Sequence, residues 1–279
     1  MSATLQDEPL LTLDVEELAP VTFRRAVEVT SDSDRELESL LARGYSGTHE
    51  QSTPFHSFLE HSTLFLFPFL FGPALYVSLA RLYHFDVLWS VLLAIPLGIV
   101  AGDFVTGIVH WFADTYFTEK TPIIGPSLVK PFRLHHIYPR DICTHNLVEI
   151  AGNVCILAVP VLAMCLYLLW LLPQSGWLAF KVLCLSIVAI TTVATNQFHK
   201  WAHQEDPSSF ARWLQRTRLV LNPSHHQKHH TAPFNLHYCI TNGWLNPLLN
   251  RIKFFRRMEK FLGLFGMKPA NRRDHHASS

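Results

Sequence analysis

Charged residues are scarce in this chain, and so are the motifs that mark many soluble enzymes. Of its 279 residues, 16% are charged and 49% are hydrophobic, whereas about 25% of an average soluble domain is charged. GxGxxG and GxxxxGK[ST] are missing, so no nucleotide site is visible, and without HExxH a zinc peptidase would lack its general base. The five cysteines form no CxxC, which argues against a disulfide framework. An integral membrane protein without a nucleic-acid partner is therefore expected.

Four apolar segments have the length of membrane-spanning helices, which need about 20 residues. They lie near residues 62–80, 87–110, 154–172 and 177–198. Very short connectors join the first segment to the second and the third to the fourth. The predicted fold is an all-α integral membrane protein, with four transmembrane helices in two hairpins and a His-rich helical cap on the cytosolic side.

The flanking regions predict the domain boundaries and the orientation. Residues 1–50 carry eleven acids against four bases, and residues 1–60 contain no apolar signal segment. This predicts that residues 1–60 are a partly disordered, cytosolic N-terminal arm without a cleavable signal peptide. Residues 61–265 are the expected membrane domain and 266–279 a polar tail. Lysine and arginine concentrate on the side that holds both termini, so that side is expected to be cytosolic. The amphipathic segment Arg251–Phe265 predicts a helix that lies on the membrane surface.

Histidine is abundant, with 17 residues, and six of these fall in the 32 residues from His199 to His230. Helical spacing pairs His199 with His203, His225 with His229 and His226 with His230. Neutral imidazole is the commonest protein ligand for iron, zinc and copper. The pattern predicts a metal centre at a membrane surface. The alternative, a polar loop that happens to be rich in histidine, is disfavoured by three pairs at one spacing.

A polar stripe runs along the second apolar segment, at Asp103, Gly107, His110 and Asp114. An aspartate inside a span costs about 2.5–3.5 kcal/mol, so it needs a partner or a purpose. We predict that His110 is a metal ligand, that Asp114 is a ligand or a close neighbour, and that Asp103 orients a ligand. A polar contact between helices is the alternative.

The loop before the third segment adds three more candidates. His135 and His136 are adjacent and would face different sides of a helix, so each can serve a different metal or a carboxylate. His145 precedes the third span and could fold back to the site, and His237 stays undecided. Ten histidines are too many for one four-coordinate metal and suit two. They are His110, His135, His136, His145, His199, His203, His225, His226, His229 and His230. Two irons in such ligation suit dioxygen activation and hydrogen removal from a lipid tail.

His226-x-x-His229-His230 has the HxxHH form of membrane desaturases and hydroxylases. Five stretches carry a wider resemblance: Gly107–Thr115, Arg133–Ile137, Asn196–His203, His225–His230 and Cys239–Asn246. Together they resemble the plasmanylethanolamine desaturase family, most closely its bacterial type. The resemblance covers roughly residues 60–265.

The resemblance implies an O2-dependent diiron desaturase that forms the vinyl ether bond of plasmalogens from 1-O-alkyl ethanolamine phospholipids. It implies two Fe ions, O2 as co-substrate and an external electron donor of the cytochrome b5 or ferredoxin type. In a myxobacterial host it implies a link to light-induced carotenoid synthesis. The implied location is the bacterial inner membrane, or the endoplasmic reticulum in a eukaryote. The implied ligands are His110, His135, His136, His199, His203, His225, His226, His229 and His230, with Asp114 at or beside the metals.

Two alternatives remain open. An acyl-lipid desaturase or hydroxylase could use the same diiron site, as in a plant relative that desaturates an acyl chain of phosphatidylglycerol. A membrane metal transporter should place its ligands near the midplane of several spans, where only Asp103 lies well inside.

Overall fold

The computed structural model contains only helices, turns and irregular loops within the residues it describes. The predicted N-terminal arm lies outside these residues up to position 52, and so does most of the predicted polar tail. The described residues are 53–118, 120–122, 125, 129–231 and 234–270.

Among the described residues, four long helices come in two consecutive pairs, with one short α-helix between the pairs and four more after them. Single 3-10 turns at Leu88–Ser90 and Asp141–Thr144 precede α2 and α4. In chain order the α-helices are α1 (Pro54–His84), α2 (Val91–Tyr116), α3 (Lys130–Ile137), α4 (Leu147–Leu171), α5 (Gly176–His203), α6 (Ser209–Arg216), α7 (Pro223–His226), α8 (Asn246–Arg251) and α9 (Phe254–Gly263). Among the described residues, α1, α2 with its preceding turn, α4 and α5 are long and apolar enough to cross a membrane. The predicted four-span, all-helical fold is confirmed.

The long helices extend further than hydropathy predicted, because capping residues set their ends. α4 begins at Leu147 rather than near residue 154. The Asn146 side chain accepts hydrogen bonds from the backbone N–H groups of Val148 and Glu149, and the Glu149 carboxylate accepts one from the Asn146 N–H. This reciprocal capping box starts the helix outside the apolar run. α5 is also longer than its apolar run. It continues to His203 and carries two histidines, His199 and His203, beyond its apolar part.

Close packing of α2 against α5 brings two histidine-bearing helix ends together. A Cβ atom added at Gly98 would lie 2.5 Å from Ile187 Cβ, and one at Gly102 would lie 2.7 Å from Thr191 Cγ2. Small residues four positions apart are the usual means of close approach between membrane helices. α5 also packs on α1 and α4, so it is the central helix of the bundle.

The two ends of the bundle differ in composition. Trp89, Trp170 and Trp177 are exposed near the start of α2, the end of α4 and the start of α5, which is the pattern of an interfacial aromatic belt. The opposite end holds the start of α4, the ends of α2 and α5, and the short helices that follow. We call it the histidine end.

The amphipathic segment near the C-terminus forms one helix, α9, over most of its length, and its first residue, Arg251, is the last residue of α8. The backbone of Lys253 takes a left-handed conformation, with φ of 52°, and separates α8 from α9. Phe255 is buried, and its ring lies 5.5 Å from that of Trp111. Part of the apolar face therefore packs on α2, while Phe261 and Phe265 remain exposed. Its position on a membrane surface stays a prediction.

Candidate metal centre

Five histidines converge at the histidine end, from α5 and from the cap, by which we mean α3, α7 and the turn that follows α7. We call these five histidines the first group. The Nε2 atom of His226 lies 2.8 Å from that of His199 and 3.0 Å from that of His230. One ligand atom from each member lies within 4.8 Å of all the others. Two ligands about 2.1 Å from one ion are at most about 4.2 Å apart, so small side-chain shifts would close the set around an ion. The members are His135, His199, His203, His226 and His230.

A second group combines three histidines with one carboxylate. It contains His110 and Asp114 from α2, His136 from α3 and His229 from the turn after α7. Asp114 Oδ2 lies 3.4 Å from His110 Nε2, 3.0 Å from His136 Nε2 and 3.7 Å from His229 Nε2. His110 and Asp114 are one helical turn apart and thus share a face.

The two groups are neighbours. The ring centroids of His136 and His230 are 5.3 Å apart, and those of His226 and His229 are 5.8 Å apart. His135 and His136 send their rings to different groups, because adjacent helical positions diverge by about 100°. The structure therefore offers two adjacent ligand sets, as a two-metal centre requires.

The hydrogen bonds behind the second group show that it suits a cation. His110 Nδ1 lies 3.1 Å from the carbonyl oxygen of Tyr238, and His229 Nδ1 lies 2.8 Å from that of Leu236. A carbonyl only accepts, so both Nδ1 atoms carry the proton, and in the neutral ring each Nε2 atom then presents a lone pair. These lone pairs face the Asp114 carboxylate. Such an arrangement is repulsive unless a positive ion lies between them, so the donor set fits a metal.

The protonation state of the cap histidines agrees with this fit. Burial lowers the pKa of His135, His226, His229 and His230 well below the ordinary value, and neighbouring imidazoles lower it further. The rings are therefore neutral near pH 7, which is the form that binds metals.

Asp103 acts on the second group through a backbone loop. Its buried carboxylate accepts hydrogen bonds from four amides: Oδ1 from Thr241, Asn242 and Gly243 at 3.1 to 3.2 Å, and Oδ2 from Leu245 at 3.3 Å. The same loop carries the two carbonyls that hold His110 and His229. These contacts explain why a carboxylate is tolerated inside a span. They also place Asp103 where it orients the loop that holds His110 and His229, and not among the ligands.

His225 lies outside both groups, although the resemblance implied it as a ligand. Its Nε2 atom lies 3.0 Å from His237 Nδ1 and 3.1 Å from Asn246 Nδ2. The expected pair with His229 does not form, because α7 ends at His226 and the chain continues as a turn. His145 also lies outside, with its Nε2 atom 3.5 Å from Asp141 Oδ2.

A cavity of about 380 Å³ opens beside the first group. α2 and α4 form its sides and α5 its back. His135 and His199 are part of its wall, whereas the described lining contains no member of the second group. The first group thus has access to a space large enough for a small ligand or part of a lipid.

Comparison with known proteins identifies the family of this chain. The lipid desaturase domain matches residues 99–272, which is more than half of the chain and includes both ligand groups. The chain belongs to the lipid desaturase family. The expected enzyme class, an oxidoreductase of the desaturase type, is thereby confirmed at the level of the family.

Three relatives show how far the similarity extends. Plasmanylethanolamine desaturase of Myxococcus xanthus is 42% identical over 178 residues, covering 62% of this chain and 61% of that protein. Plasmanylethanolamine desaturase 1 of Mus musculus is 38% identical over 201 residues, covering 68% of this chain and 71% of that protein. Fatty acid desaturase 4, chloroplastic, of Arabidopsis thaliana is 30% identical over 175 residues, covering 62% of this chain and 52% of that protein. The match thus spans about three fifths of the Myxococcus protein. No solved structure matches the chain significantly.

Sequence reasoning missed the groups that orient the ligands. The carbonyls of Leu236 and Tyr238 have no sequence signal, because nearly every residue offers the same group. The close approach of Cys239 to α2 does have one: Gly107 lies in the polar stripe, and a Cβ atom there would meet Cys239 Sγ at 2.5 Å. The capping box at Asn146 and Glu149 was also readable from the sequence.

Proposed function

We propose that this chain is a plasmanylethanolamine desaturase that introduces the vinyl ether double bond of plasmalogens. The substrate would be a 1-O-alkyl ethanolamine phospholipid, and the new double bond would join the first two carbons of the alkyl chain. The observation that carries the proposal is the pair of adjacent ligand groups at the histidine end, with a cavity beside one of them. The similarity to the plasmanylethanolamine desaturases of Myxococcus and mouse supports the choice of substrate.

The first group and the second group would each hold one iron. When bound, the two irons would supply dioxygen activation and the removal of hydrogen from an unactivated C–H bond. The reaction balances when the –O–CH2–CH2– unit, one O2, two electrons and two protons give –O–CH=CH– and two waters. The electrons would come from an external donor of the cytochrome b5 or ferredoxin type.

Backbone groups and side chains of this protein have defined tasks in this proposal. The carbonyls of Leu236 and Tyr238 keep the proton of His229 and His110 on Nδ1, so that Nε2 stays available for metal. Asp114 supplies the one negative charge among the nine ligand residues. Burial keeps bulk water from the centre, since all of them except His203 are buried.

The proposal extends to location and cellular role. The basic residues of the loop 114–150 and of the C-terminal region support a cytosolic position for the histidine end, in a bacterial inner membrane or, in a eukaryote, the endoplasmic reticulum. Both termini would then be cytosolic. In a myxobacterial host, plasmalogen made by this chain would be tied to light-induced carotenoid synthesis.

An acyl-lipid desaturase is the second candidate function, favoured by the 30% identity to the Arabidopsis fatty acid desaturase. A hydroxylase would use the same groups. A metal transporter fits less well, because both ligand groups lie at one end of the bundle and not at its middle.

A lipid assay tests the proposal. The chain is expressed in a host that lacks plasmalogens and is fed a 1-O-alkyl ethanolamine phospholipid, and acid-labile vinyl ether is measured in the lipid extract. We expect vinyl ether with the wild-type chain and none with His229→Ala. A folded protein that carries about two irons but yields only acyl double bonds or hydroxylated lipid would replace the proposal by the second candidate.

A further inference from the structure

Two histidines outside both ligand groups contact each other and Asn246. His225 Nε2 lies 3.0 Å from His237 Nδ1 and 3.1 Å from Asn246 Nδ2. His225 is partly buried and His237 is buried. We call His225, His237 and Asn246 the support cluster. Buried polar groups of this kind are held by specific hydrogen bonds, so the directions of these bonds show what the cluster does.

The hydrogen bonds of Asn246 fix the direction of the contacts within the support cluster. Its Oδ1 atom accepts a hydrogen bond from the Cys239 backbone N–H at 3.0 Å, and its Nδ2 atom donates one to the Cys239 carbonyl at 2.8 Å. The atom that faces His225 Nε2 is therefore a donor, and Nε2 accepts. His237 Nδ1, which faces the same Nε2 atom, must then be a donor as well. His225 thus ties the His237 ring to Asn246, the first residue of α8.

A glycine makes room for the His225 ring. Gly243 has φ of 73°, and a Cβ atom added there would lie 2.9 Å from His225 Cδ2 and 3.0 Å from its Nε2 atom. The backbone N–H of Gly243 donates to Asp103 Oδ1 at 3.1 Å. The loop that Asp103 caps therefore also forms the seat of the His225 ring.

The backbone of His237 has an uncommon conformation. Its φ of 60° is in the left-handed region, which few residues other than glycine adopt, although histidine and asparagine do so more readily than most. The His237 N–H donates to Asn250 Oδ1 of α8 at 3.4 Å. Both the side chain and the backbone of His237 are thus tied to α8.

His237 lies between the two carbonyls that hold ligands of the second group. The Leu236 carbonyl accepts from His229 Nδ1, and the Tyr238 carbonyl accepts from His110 Nδ1. Because peptide units are planar, only the dihedral angles of His237 and Tyr238 separate these carbonyls. Tyr238 is buried, and its ring centroid lies 5.7 Å from that of His110 and 5.3 Å from that of His229. With Tyr238 packed in this way, a backbone rotation at His237 would turn a carbonyl away from its histidine.

From these contacts we infer that His237 is a positioning residue for the second group and that His225 and Asn246 hold it in place. Its fixed backbone keeps the carbonyls of Leu236 and Tyr238 on the Nδ1 protons of two ligands, so that their Nε2 lone pairs point towards the metal site. The inference rests on the proposed metal centre and not on the identity of the lipid.

Three substitutions of His237 separate its side chain from its backbone. His237→Ala removes the donor to His225. His237→Gly also removes it but favours the left-handed backbone, so it keeps the test open if His237→Ala does not fold. His237→Asn tolerates that backbone and offers an N–H on Cγ, as the histidine ring does. Asp86→Ala is the matched control, because Asp86 is exposed, has φ of 54° and lies at the opposite end of the bundle.

Iron affinity is measured for each substitution in two backgrounds. His226→Ala leaves only the second group intact, and Asp114→Ala leaves only the first. The purified proteins are loaded with Fe(II) in nanodiscs and titrated with a chelator.

In the His226→Ala background we expect His237→Ala and His237→Gly to weaken iron binding by about tenfold, since the loss of a partner behind ligating histidines weakens metal binding. His237→Asn and Asp86→Ala should leave the affinity of that background unchanged. In the Asp114→Ala background none of the four substitutions should change the affinity.

Three results would overturn the inference. Equal weakening in both backgrounds would mean that His237 only stabilises the fold. An unchanged affinity of His237→Gly in the His226→Ala background, or no recovery with His237→Asn, would mean that its hydrogen bond does not position the carbonyls. Wild-type protein that binds no iron would overturn the metal centre as well. The expected affinities in a protein that makes no vinyl ether would refute only the proposed function.

Discussion

Asp114 and His225 show how much the role of a residue depends on its immediate neighbours. Asp114 is the one carboxylate among the eight histidines of the two groups, and three Nε2 atoms surround its Oδ2 atom. His225 stands next to a member of the first group in sequence, yet its ring contacts His237 and Asn246. One rotation of about 100° between adjacent helical positions separates the two environments.

A pair of alanine variants tests this distinction. His226→Ala removes the histidine whose Nε2 atom contacts two others of the first group, so we expect the loss of about one iron per chain and a fall in activity of more than about 100-fold. His225→Ala should retain both irons, because its ring lies outside the groups. Iron analysis of the two purified proteins and the vinyl ether assay provide the measurements. Loss of an iron from folded His225→Ala would mean that His225 is a ligand after all.

Among the elements of the fold, the loop between α7 and α8 both connects these two helices and supports α2. Asp103 of α2 caps four amides of the loop, and Thr241 contacts the hydroxyls of Thr106 and Thr195 at 3.1 and 2.7 Å. The loop in turn holds His110 through the Tyr238 carbonyl. Rigid support of this kind keeps ligands in place before a metal binds.

Gly107→Ala tests that support. The new Cβ atom would lie 2.5 Å from Cys239 Sγ and 3.3 Å from the Cys239 backbone, so the loop must shift. We expect a destabilisation of about 1–3 kcal/mol, as for overpacking elsewhere, together with weaker iron binding in the second group.

The matched control is Gly72→Ala, where nothing lies within 4 Å of the added Cβ atom. Its thermal unfolding temperature and iron content should equal those of the wild type. If Gly107→Ala also behaves like the wild type in both measurements, the loop does not position His110.

For the molecule as a whole, the two groups connect parts of the fold that are far apart in sequence. The first group joins α3, α5 and α7 with the following turn, and the second joins α2, α3 and that turn. Metals bound there would fasten the cap to the bundle. Any ligand that binds only the folded state raises its stability.

Iron removal should therefore lower the stability of the whole protein. We expect a chelator to reduce the thermal unfolding temperature of the wild type by at least about 5 °C, given the usual sensitivity of domains of this size. His226→Ala, which has one group left, should lose less on chelation. An unchanged unfolding temperature in verified iron-free protein would show that the metals do not fasten the cap.

The residue pattern alone determined the four membrane helices, the presence of two histidine-rich ligand sets and the family. Hydropathy is a local property of each span, and helical spacing held where both residues lie in one long helix, as for His110 with Asp114 and His199 with His203. Which histidine joins which group, and that His225 joins neither, was decided by tertiary structure, because the end of α7 and the turn after it set the direction of each ring. The cavity likewise has no sequence signal, since it exists only where α2 and α4 stand on either side of α5. No local stretch of the sequence specifies that α2 and α4 come to lie beside α5. Only the packing of the helices in the folded bundle brings them there.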